Sequence, residues 1–246
     1  ETKTAAGYES GMDDSPMYIG VPFNKKKHTL ELQDVGLTSL YIADCRALAE
    51  MAGILKRKKE QKELESRAKQ YALKMEELWS PEFGAYLNYR TDVDSLSTRV
   101  SPTLFYPLMA KVGNDEKNEI IMEHFYNPEE FYGEWMLPST TRNDPTFSQQ
   151  RYWKGAIWPP LNFLTYLSLR QAGYTDAATE LSEKSLKLIM TEWTRKGYVS
   201  ENYSAITGTG DDSRLSSDRF HSWGALFGIM TFIENGYLPQ IESPME

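Results

Sequence analysis

The stretch from Asp34 to Leu55, DVGLTSLYIADCRALAEMAGIL, has the residue spacing of a long α-helix. Asp34 can cap the first turn, because its carboxylate can accept from backbone N–H groups that lack a helical partner. The apolar positions recur with helical spacing, at Leu37, Leu40, Tyr41, Leu48, Met51 and Leu55. Asp44 falls on the same stripe, either as hydrogen-bonded structure or as part of a site.

Six further segments have a helical pattern, at 64–78, 104–112, 114–125, 157–172, 175–193 and 222–234. Ser101, Asn114 and Thr175 are predicted caps, and the charged run 56–62 is predicted to be a solvated junction. Residues 83–89 alternate like a short strand or extended loop, and 131–160 have no clear period. The seven predicted helices come in pairs without a succession of strands, so the fold class is all-α. Such pairs form a ring or an open solenoid, and the lack of a fixed repeat favours the ring.

The composition excludes some functions and points to another. The net charge of −8 comes from interleaved acids and bases with no basic patch, so nucleic acid is not an expected partner. No apolar run is long enough for a membrane span, which excludes a membrane partner and leaves the compartment open. Six Trp, 15 Tyr and 10 Phe include several in polar, Gly- and Pro-containing segments. Aromatic rings in such segments suit the apolar faces of sugars, although most are expected to be core residues.

Two acidic loops lie at opposite ends of the chain, at residues 7–16 and 201–208. Cleavage of a glycosidic bond needs one carboxylic acid to protonate the leaving oxygen and one carboxylate to act as base or nucleophile. Asp13 and Glu201 could supply this pair, but spacing alone leaves solvated surface acids as the alternative. The first loop lacks the ligand spacing of a twelve-residue calcium loop, and His28, His124 and His221 lack metal-ligand spacing. No metal and no cofactor are predicted.

Six motifs occur in a fixed order along the chain: Glu9-Ser10-Gly11-Met12-Asp13-Asp14-Ser15-Pro16, Gly133 to Ser139, Arg142-Asn143-Asp144-Pro145, Tyr152 to Asn162, Glu201-Asn202-Tyr203 and His221-Ser222-Trp223-Gly224. Together they resemble glycoside hydrolase family 63, which includes processing α-glucosidases, bacterial α-glucosidase-like enzymes and mannosylglycerate hydrolases. The first motif also resembles, more distantly, that of the trehalases. Met17-Tyr18 departs from the trehalase pattern and argues against trehalose as the substrate.

The resemblance implies an (α/α)6 barrel, inversion at the anomeric carbon, Asp13 as general acid and an ionised Glu201 as general base. Asp14 is the adjacent competitor for the acid role. The two carboxyls of an inverting enzyme are expected to be roughly 6.5 to 9.5 Å apart. The expected substrate contacts are Tyr8, Glu9, Arg142, Trp153, Lys154, Trp158 and Tyr203, with the two tryptophans as walls around the sugar. Asp14, Asn162, His221 and Trp223 are expected to support them.

Seven predicted helices are fewer than such a barrel contains. We therefore expect residues 1–246 to be the C-terminal part of one catalytic barrel, with the N-terminal helices absent from this chain. The leading hypothesis is an inverting hydrolase of an α-glucosidic or related α-glycosidic bond in a short saccharide or glycoside. The expected partners are that substrate and, where it exists as a separate chain, the N-terminal portion of the same protein. The alternative is a non-catalytic fragment that binds carbohydrate or a partner.

Overall fold

The computed structural model describes residues 2–238. Within that range the α-helices are α1 (Lys3–Tyr8), α2 (Val35–Ile54), α3 (Lys58–Met75), α4 (Tyr106–Met109), α5 (Asp115–Tyr126), α6 (Pro159–Gln171), α7 (Thr175–Lys196) and α8 (Leu226–Glu234). Short 3-10 turns occupy Pro16–Tyr18, Glu76–Leu78, Pro102–Phe105, Phe147–Gln149 and Ser222–Ala225. About half of the chain is helical, which agrees with a mainly helical fold.

The strands are two residues each: β1 (Phe23–Asn24), β2 (Thr29–Leu30), β3 (Leu32–Gln33), β4 (Trp79–Ser80), β5 (Ala85–Tyr86), β6 (Tyr89–Arg90) and β7 (Ser95–Leu96). All pair antiparallel, in the orders β1-β2, β3-β6-β7 and β4-β5. These small sheets join the helices at their ends. The extended segment predicted at 83–89 corresponds to β5 and the start of β6.

Several helix ends follow from local chemistry. Asp34 accepts from the Leu37 N–H and Asn114 accepts from the Lys117 N–H, so both predicted caps are confirmed. Gly197 ends α7 in the left-handed conformation, with φ of 71°. The prediction of Thr175 as a cap is wrong, because Thr175 is the first helical residue of α7. The N-cap position is Tyr174, whose side chain makes no capping hydrogen bond. The junction predicted at 56–62 is shorter than expected: α2 ends at Ile54 and α3 begins at Lys58, so only the exposed residues 55–57 lie between the two helices.

The helices form two layers. In one layer α2 contacts α4, α4 contacts α6, and α6 contacts α8. In the other, α3 packs on α2, and α7 packs on α6 and α8. The main core lies between the layers and includes edge-to-face pairs of Phe105 with Phe125 and Phe131.

Helix α2 is apolar on two faces. The core face consists of Val35, Ser39, Ile42, Cys45, Ala49 and Ala52, all buried. The predicted stripe points the other way: Leu37, Leu48, Met51 and Leu55 are 46%, 41%, 56% and 67% exposed, and Asp44 is exposed with them. The other two positions of the stripe, Leu40 and Tyr41, are partly buried and pack against the apolar clusters. A helix that is apolar all round usually has neighbours on every side.

Candidate active site

The loop that carries Asp13 is closed tightly on itself. The Ser10 hydroxyl donates to the Gly7 carbonyl at 2.6 Å and accepts from the Met12 N–H at 3.1 Å. Gly7 is required here, because a Cβ atom at this position would lie 2.7 Å from the Asp13 carbonyl oxygen. Met12 is buried against Trp153, in a second apolar cluster that also contains Trp158 and Tyr106. This anchor leaves the two following carboxylates at the surface of the cluster.

A second loop, residues 150–155, meets both carboxylates. The Tyr152 hydroxyl donates to Asp13 Oδ2 at 3.1 Å. Asp14 accepts from the Trp153 N–H at 3.2 Å and pairs with Lys154 Nζ at 2.7 Å. Tyr152 has a φ of 52°, and such left-handed conformations in bulky residues concentrate at functional sites. Asp13 and Asp14 therefore have different partners, a tyrosine hydroxyl and a lysine ammonium.

The loop that carries Glu201 is tied to the same region through its backbone. Ile157 and Tyr203 exchange two backbone hydrogen bonds, of 2.7 and 3.0 Å. The Glu201 N–H donates to the Asp218 carbonyl at 2.8 Å, and the Asp218 N–H donates to Glu201 Oε2 at 3.4 Å. His221 Nε2 lies 3.7 Å from Glu201 Oε1. These contacts hold the Glu201 carboxylate beside the 150–155 loop.

Electrostatics link the two carboxylates. Burial, the hydrogen bond to Asp13 and the charges of Asp13 and Glu201 raise the pKa of Tyr152 to about 12. Burial raises the pKa of Glu201, and the charges of Asp218 and Asp13 act in the same direction. The hydrogen bond from the Asp218 backbone and the charge of His221 oppose that rise in the pKa of Glu201. The structure thus brings Asp13, Glu201 and Tyr152 into one electrostatic cluster.

The tryptophans form a stack beneath this cluster. Trp153 and Trp158 are nearly parallel, with ring centroids 3.8 Å apart, and Trp223 meets Trp158 edge-to-face at 5.8 Å. Trp158 is fully buried and its indole N–H donates to the Tyr152 carbonyl. Trp153 is also buried, at 2% exposed, so the expectation that these two tryptophans form walls around the sugar is wrong in this arrangement. Trp158 instead supports Trp153 and Tyr152. Trp223, which is 39% exposed, is available to a ligand.

Three other expected site residues are internal supports. Tyr203 is fully buried, accepts from the Ser200 N–H and packs on Phe227. Asn162 is fully buried and bonds to the Leu137 backbone and the Trp158 carbonyl. The side chain of Arg142 donates to the Trp135 carbonyl and lies over the Phe147 ring, within its own loop. Burial therefore corrects the expectation that Tyr203 contacts substrate. Arg142 is half-buried, and its contacts are with its own loop.

Tyr8 and Glu9 lie at the end of α1 with exposed side chains, next to the loop that carries Asp13. Tyr152 was not among the expected site residues, although it lies inside one of the quoted motifs. Within residues 2–238, no group of three or more His, Cys, Asp or Glu side chains could hold a metal ion. No helix in the described part of the chain has the length and apolarity needed to cross a membrane.

Comparison with known proteins gives the family. The model of the mannosylglycerate hydrolase MGH1-like glycoside hydrolase domain matches residues 3–223. The chain belongs to this family. It is 28% identical over 190 residues to a mannosylglycerate hydrolase of Rubrobacter radiotolerans, covering 76% of this chain and 41% of that protein. It is 30% identical over 128 residues to a mannosyl-oligosaccharide glucosidase of Saccharomyces cerevisiae, covering 46% of this chain and 15% of that protein. These relatives support assignment to glycoside hydrolase family 63.

Solved structures agree on the fold. A family 63 mannosylglycerate hydrolase from Thermus thermophilus, crystallised in complex with glucose, superposes with a TM-score of 0.76 at 22% identity. The match covers 91% of this chain and 60% of that one. A neutral trehalase from Saccharomyces cerevisiae gives a TM-score of 0.70 at 20% identity, covering 90% of this chain and 40% of the trehalase. The chain thus spans less than two thirds of the length of these relatives.

Proposed function

We propose that this chain carries both catalytic carboxylates of an inverting glycosidase, with Asp13 as general acid and Glu201 as general base. The bond cleaved is α-glucosidic or a related α-glycosidic bond in a short saccharide or glycoside. One observation carries the proposal: two carboxylates from opposite ends of the sequence lie near the Tyr152 hydroxyl. Asp13 accepts a hydrogen bond from it, and the charge of Glu201 contributes to its raised pKa. Glycosidases of this type need two carboxyl groups on either side of the bond that they cleave.

The contacts favour Asp13 over Asp14 as the acid. Both carboxylate oxygens of Asp14 already have a partner, Oδ1 the Trp153 N–H and Oδ2 the Lys154 ammonium. A carboxyl group that must carry a proton to the leaving oxygen is poorly served by a neighbouring ammonium. Asp13 has a neutral hydroxyl as its partner, which can donate to the carboxylate after the proton has left.

The proposed reaction is a single displacement. Asp13 gives its proton to the glycosidic oxygen while the bond from that oxygen to the anomeric carbon breaks. Glu201 removes a proton from a water molecule, whose oxygen forms the new bond on the opposite face of the sugar ring. The products are a hemiacetal of inverted configuration and the free alcohol, with Asp13 ionised and Glu201 protonated. The burial that raises the pKa of Glu201 makes its carboxylate a stronger base.

The substrate class rests on the relatives and on the aromatic residues. Those relatives are named for the hydrolysis of mannosylglycerate and for the removal of glucose from mannosyl oligosaccharides, and one was crystallised with glucose. Trp223, which is 39% exposed and packs edge-to-face on Trp158, offers a ring on which a pyranose can stack. A small neutral glycone is therefore the proposed group at the site.

We also propose that α2 and α8 are the edges at which the rest of an (α/α)6 barrel packs, as part of the same polypeptide or as a separate chain. The exposed apolar stripe of α2 supports this, as does Phe232 on α8, which is 52% exposed. The solved relatives contain a large region that this chain does not match. The occupants proposed are amphipathic helices from that region. Size-exclusion chromatography tests this: Leu48→Glu in α2 should abolish association with the matching N-terminal segment of a relative, whereas Lys74→Glu in α3 should not.

The catalytic roles are tested by Asp13→Asn and Glu201→Gln, with Asp14→Asn as the matched control. Each of the first two is expected to lower hydrolysis of an aryl α-glycoside by about 10²-fold or more, because proton transfer typically contributes 10²- to 10⁴-fold. Asp14→Asn should reduce the rate less, and thermal melting should show that all three variants fold. Full activity in Asp13→Asn or Glu201→Gln would contradict the assignment. A wild-type chain that binds sugar but hydrolyses none would favour the non-catalytic alternative.

A further inference from the structure

The 150–155 loop, which presents Tyr152 to the candidate site, begins at a buried glutamine. Gln150 is 0% exposed, whereas the identical residue before it, Gln149, is exposed. A buried side-chain amide needs hydrogen-bond partners within the protein. The partners of the Gln150 amide therefore show what holds the base of this loop.

The Gln150 amide joins the two loops that meet at the candidate site. Its Oε1 accepts from the Ala205 N–H at 2.7 Å and from the Ser204 hydroxyl at 3.3 Å. Its Nε2 donates to the Phe147 carbonyl at 2.8 Å. Ser204 and Ala205 belong to the loop that carries Glu201. One side chain thus ties the two loops together.

The backbone of the 150–155 loop has an unusual conformation that such contacts must maintain. Gln150 and Tyr152 are both left-handed, with φ of 48° and 52°. In residues other than glycine this conformation is kept only where the surrounding structure enforces it. At the end of the loop, a Cβ atom on Gly155 would lie 2.8 Å from Gln150 Nε2. The Gln150 side chain therefore packs against both ends of the loop that presents Tyr152.

Only a side chain that both donates and accepts fits between these partners. The Ala205 N–H needs an acceptor and the Phe147 carbonyl needs a donor. Glutamate has the same length, but in its ionised form it would bring a buried charge and turn a second acceptor towards the Phe147 carbonyl. Asparagine has the same amide but is one methylene shorter. The site thus distinguishes glutamine from its two closest analogues.

We propose that Gln150 is a positioning residue: its amide fixes the loop of Tyr152 and the loop of Glu201 at the separation that catalysis requires. This rests on the proposed function, because the first loop holds the partner of the proposed acid and the second carries the proposed base. Gln150 acts through Tyr152 and Glu201 and does not itself touch the substrate. A displacement of about 1 Å in a catalytic site can lower the rate by about 10²-fold.

The test compares Gln150→Glu with Gln149→Glu in the 246-residue chain, by hydrolysis of an aryl α-glycoside across a range of pH. Gln150→Glu should lower kcat by about 10²-fold at neutral and higher pH, with little change in KM. As the pH falls, kcat should recover towards the wild-type value at the same pH. The introduced carboxyl then takes up a proton and can donate to the Phe147 carbonyl, as the amide does.

Gln149→Glu is the matched control, because it adds the same charge at an exposed position one residue earlier. It should follow the wild-type chain at every pH. Thermal melting at each pH shows whether the variants are folded. A role in stability alone would lower the melting temperature of Gln150→Glu but would leave kcat of the folded enzyme unchanged.

Gln150→Asn gives a second measurement that does not need hydrolysis. Asparagine tolerates the left-handed backbone, so this variant should fold, but its shorter side chain cannot span both partners. Hydrogen exchange of the Ala205 amide should become roughly 3- to 10-fold faster than in the wild-type chain, because one neutral hydrogen bond is lost. Gln149→Glu should leave this exchange rate unchanged.

Wild-type kcat for Gln150→Glu at neutral pH, or unchanged Ala205 exchange in Gln150→Asn, would overturn the proposal. Failure of both variants to fold would also overturn it, because Gln150 would then be a core residue. If Asp13→Asn and Glu201→Gln lose hydrolysis while Gln150→Glu keeps it, the catalytic assignment stands and the positioning role fails. If Gln150→Glu recovers at low pH while Asp13→Asn keeps hydrolysis, the positioning role stands and Asp13 is not the acid.

Discussion

Glu192 in α7 anchors the loop that carries Glu201, and its replacement by Gln should weaken the whole fold. Its side chain is fully buried. Oε1 accepts from Thr209 Oγ1 at 2.9 Å, and Oε2 accepts from the Gly210 N–H at 3.1 Å. Arg195 and Lys196, one turn further along α7, pair with the same carboxylate. Glu192 therefore joins the 199–219 segment to α7, and the two cations compensate its buried charge.

The size of the effect follows from the exposure of the partners. Breaking a buried ion pair by removing one partner typically destabilises a protein by about 3–5 kcal/mol. Arg195 is 58% exposed and stays solvated, and Lys196 keeps its second pair with Asp211 at 2.6 Å. We therefore expect Glu192→Gln to lower the free energy of unfolding by about 2–3 kcal/mol. For a chain of this size that corresponds to a fall in the melting temperature of roughly 5–10 °C.

The assay is thermal unfolding followed by circular dichroism at pH 7, with Glu134→Gln as control. Glu134 pairs with Lys187 at a similar distance of 3.0 Å, but the two side chains are 64% and 58% exposed. Such a surface pair contributes less than about 1 kcal/mol. An equal fall in melting temperature for Glu192→Gln and Glu134→Gln would refute the reasoning. Burial would then have no influence on the stability that each carboxylate provides.

Three further variants test other parts of the account. Tyr152→Phe should lower kcat by roughly 5- to 30-fold, because the hydrogen bond to the carboxylate of Asp13 is lost. Tyr132→Phe, which loses a hydrogen bond to Glu180 away from the site, should leave kcat unchanged. Asn162→Leu should lower the free energy of unfolding, measured in urea, by about 2–4 kcal/mol, because its amide satisfies buried backbone groups; a loss below about 1 kcal/mol would contradict this. Glu201→Gln should raise the melting temperature at neutral pH. The pKa of Glu201 is higher in the folded state than in the unfolded state, so its ionised form destabilises the fold at pH values above the folded-state pKa. The gain in melting temperature should vanish as the pH falls below the unfolded-state pKa of about 4.3. A gain that persists at that pH would refute this prediction.

The sequence predicted features that are set by neighbouring residues. The caps at Asp34 and Asn114 and the glycine that ends α7 are local effects, and the structure has all three. The paired helices and the family 63 assignment also held. The charged start of α3 was missed because a run of Lys and Glu supports a helix on its solvent side as well as a loop.

Tertiary contacts account for what the sequence did not predict. Periodicity identifies the apolar stripe of α2 but does not decide which of its two apolar faces meets the core, and Ile42 lies on the other one. Tyr152, which donates to Asp13, has a left-handed backbone conformation that no sequence pattern marks in a tyrosine. Burial of Trp158 and Tyr203 likewise depends on how distant loops pack together.

The stereochemistry of hydrolysis tests the central claim most directly. Proton NMR during cleavage of an aryl α-glucoside or α-mannoside by this chain resolves the anomer that forms first, before mutarotation. Catalysis by Asp13 as acid and Glu201 as base predicts that the β-anomer appears first. Initial release of the α-anomer would contradict the account, because it would require a covalent intermediate on one of the two carboxylates.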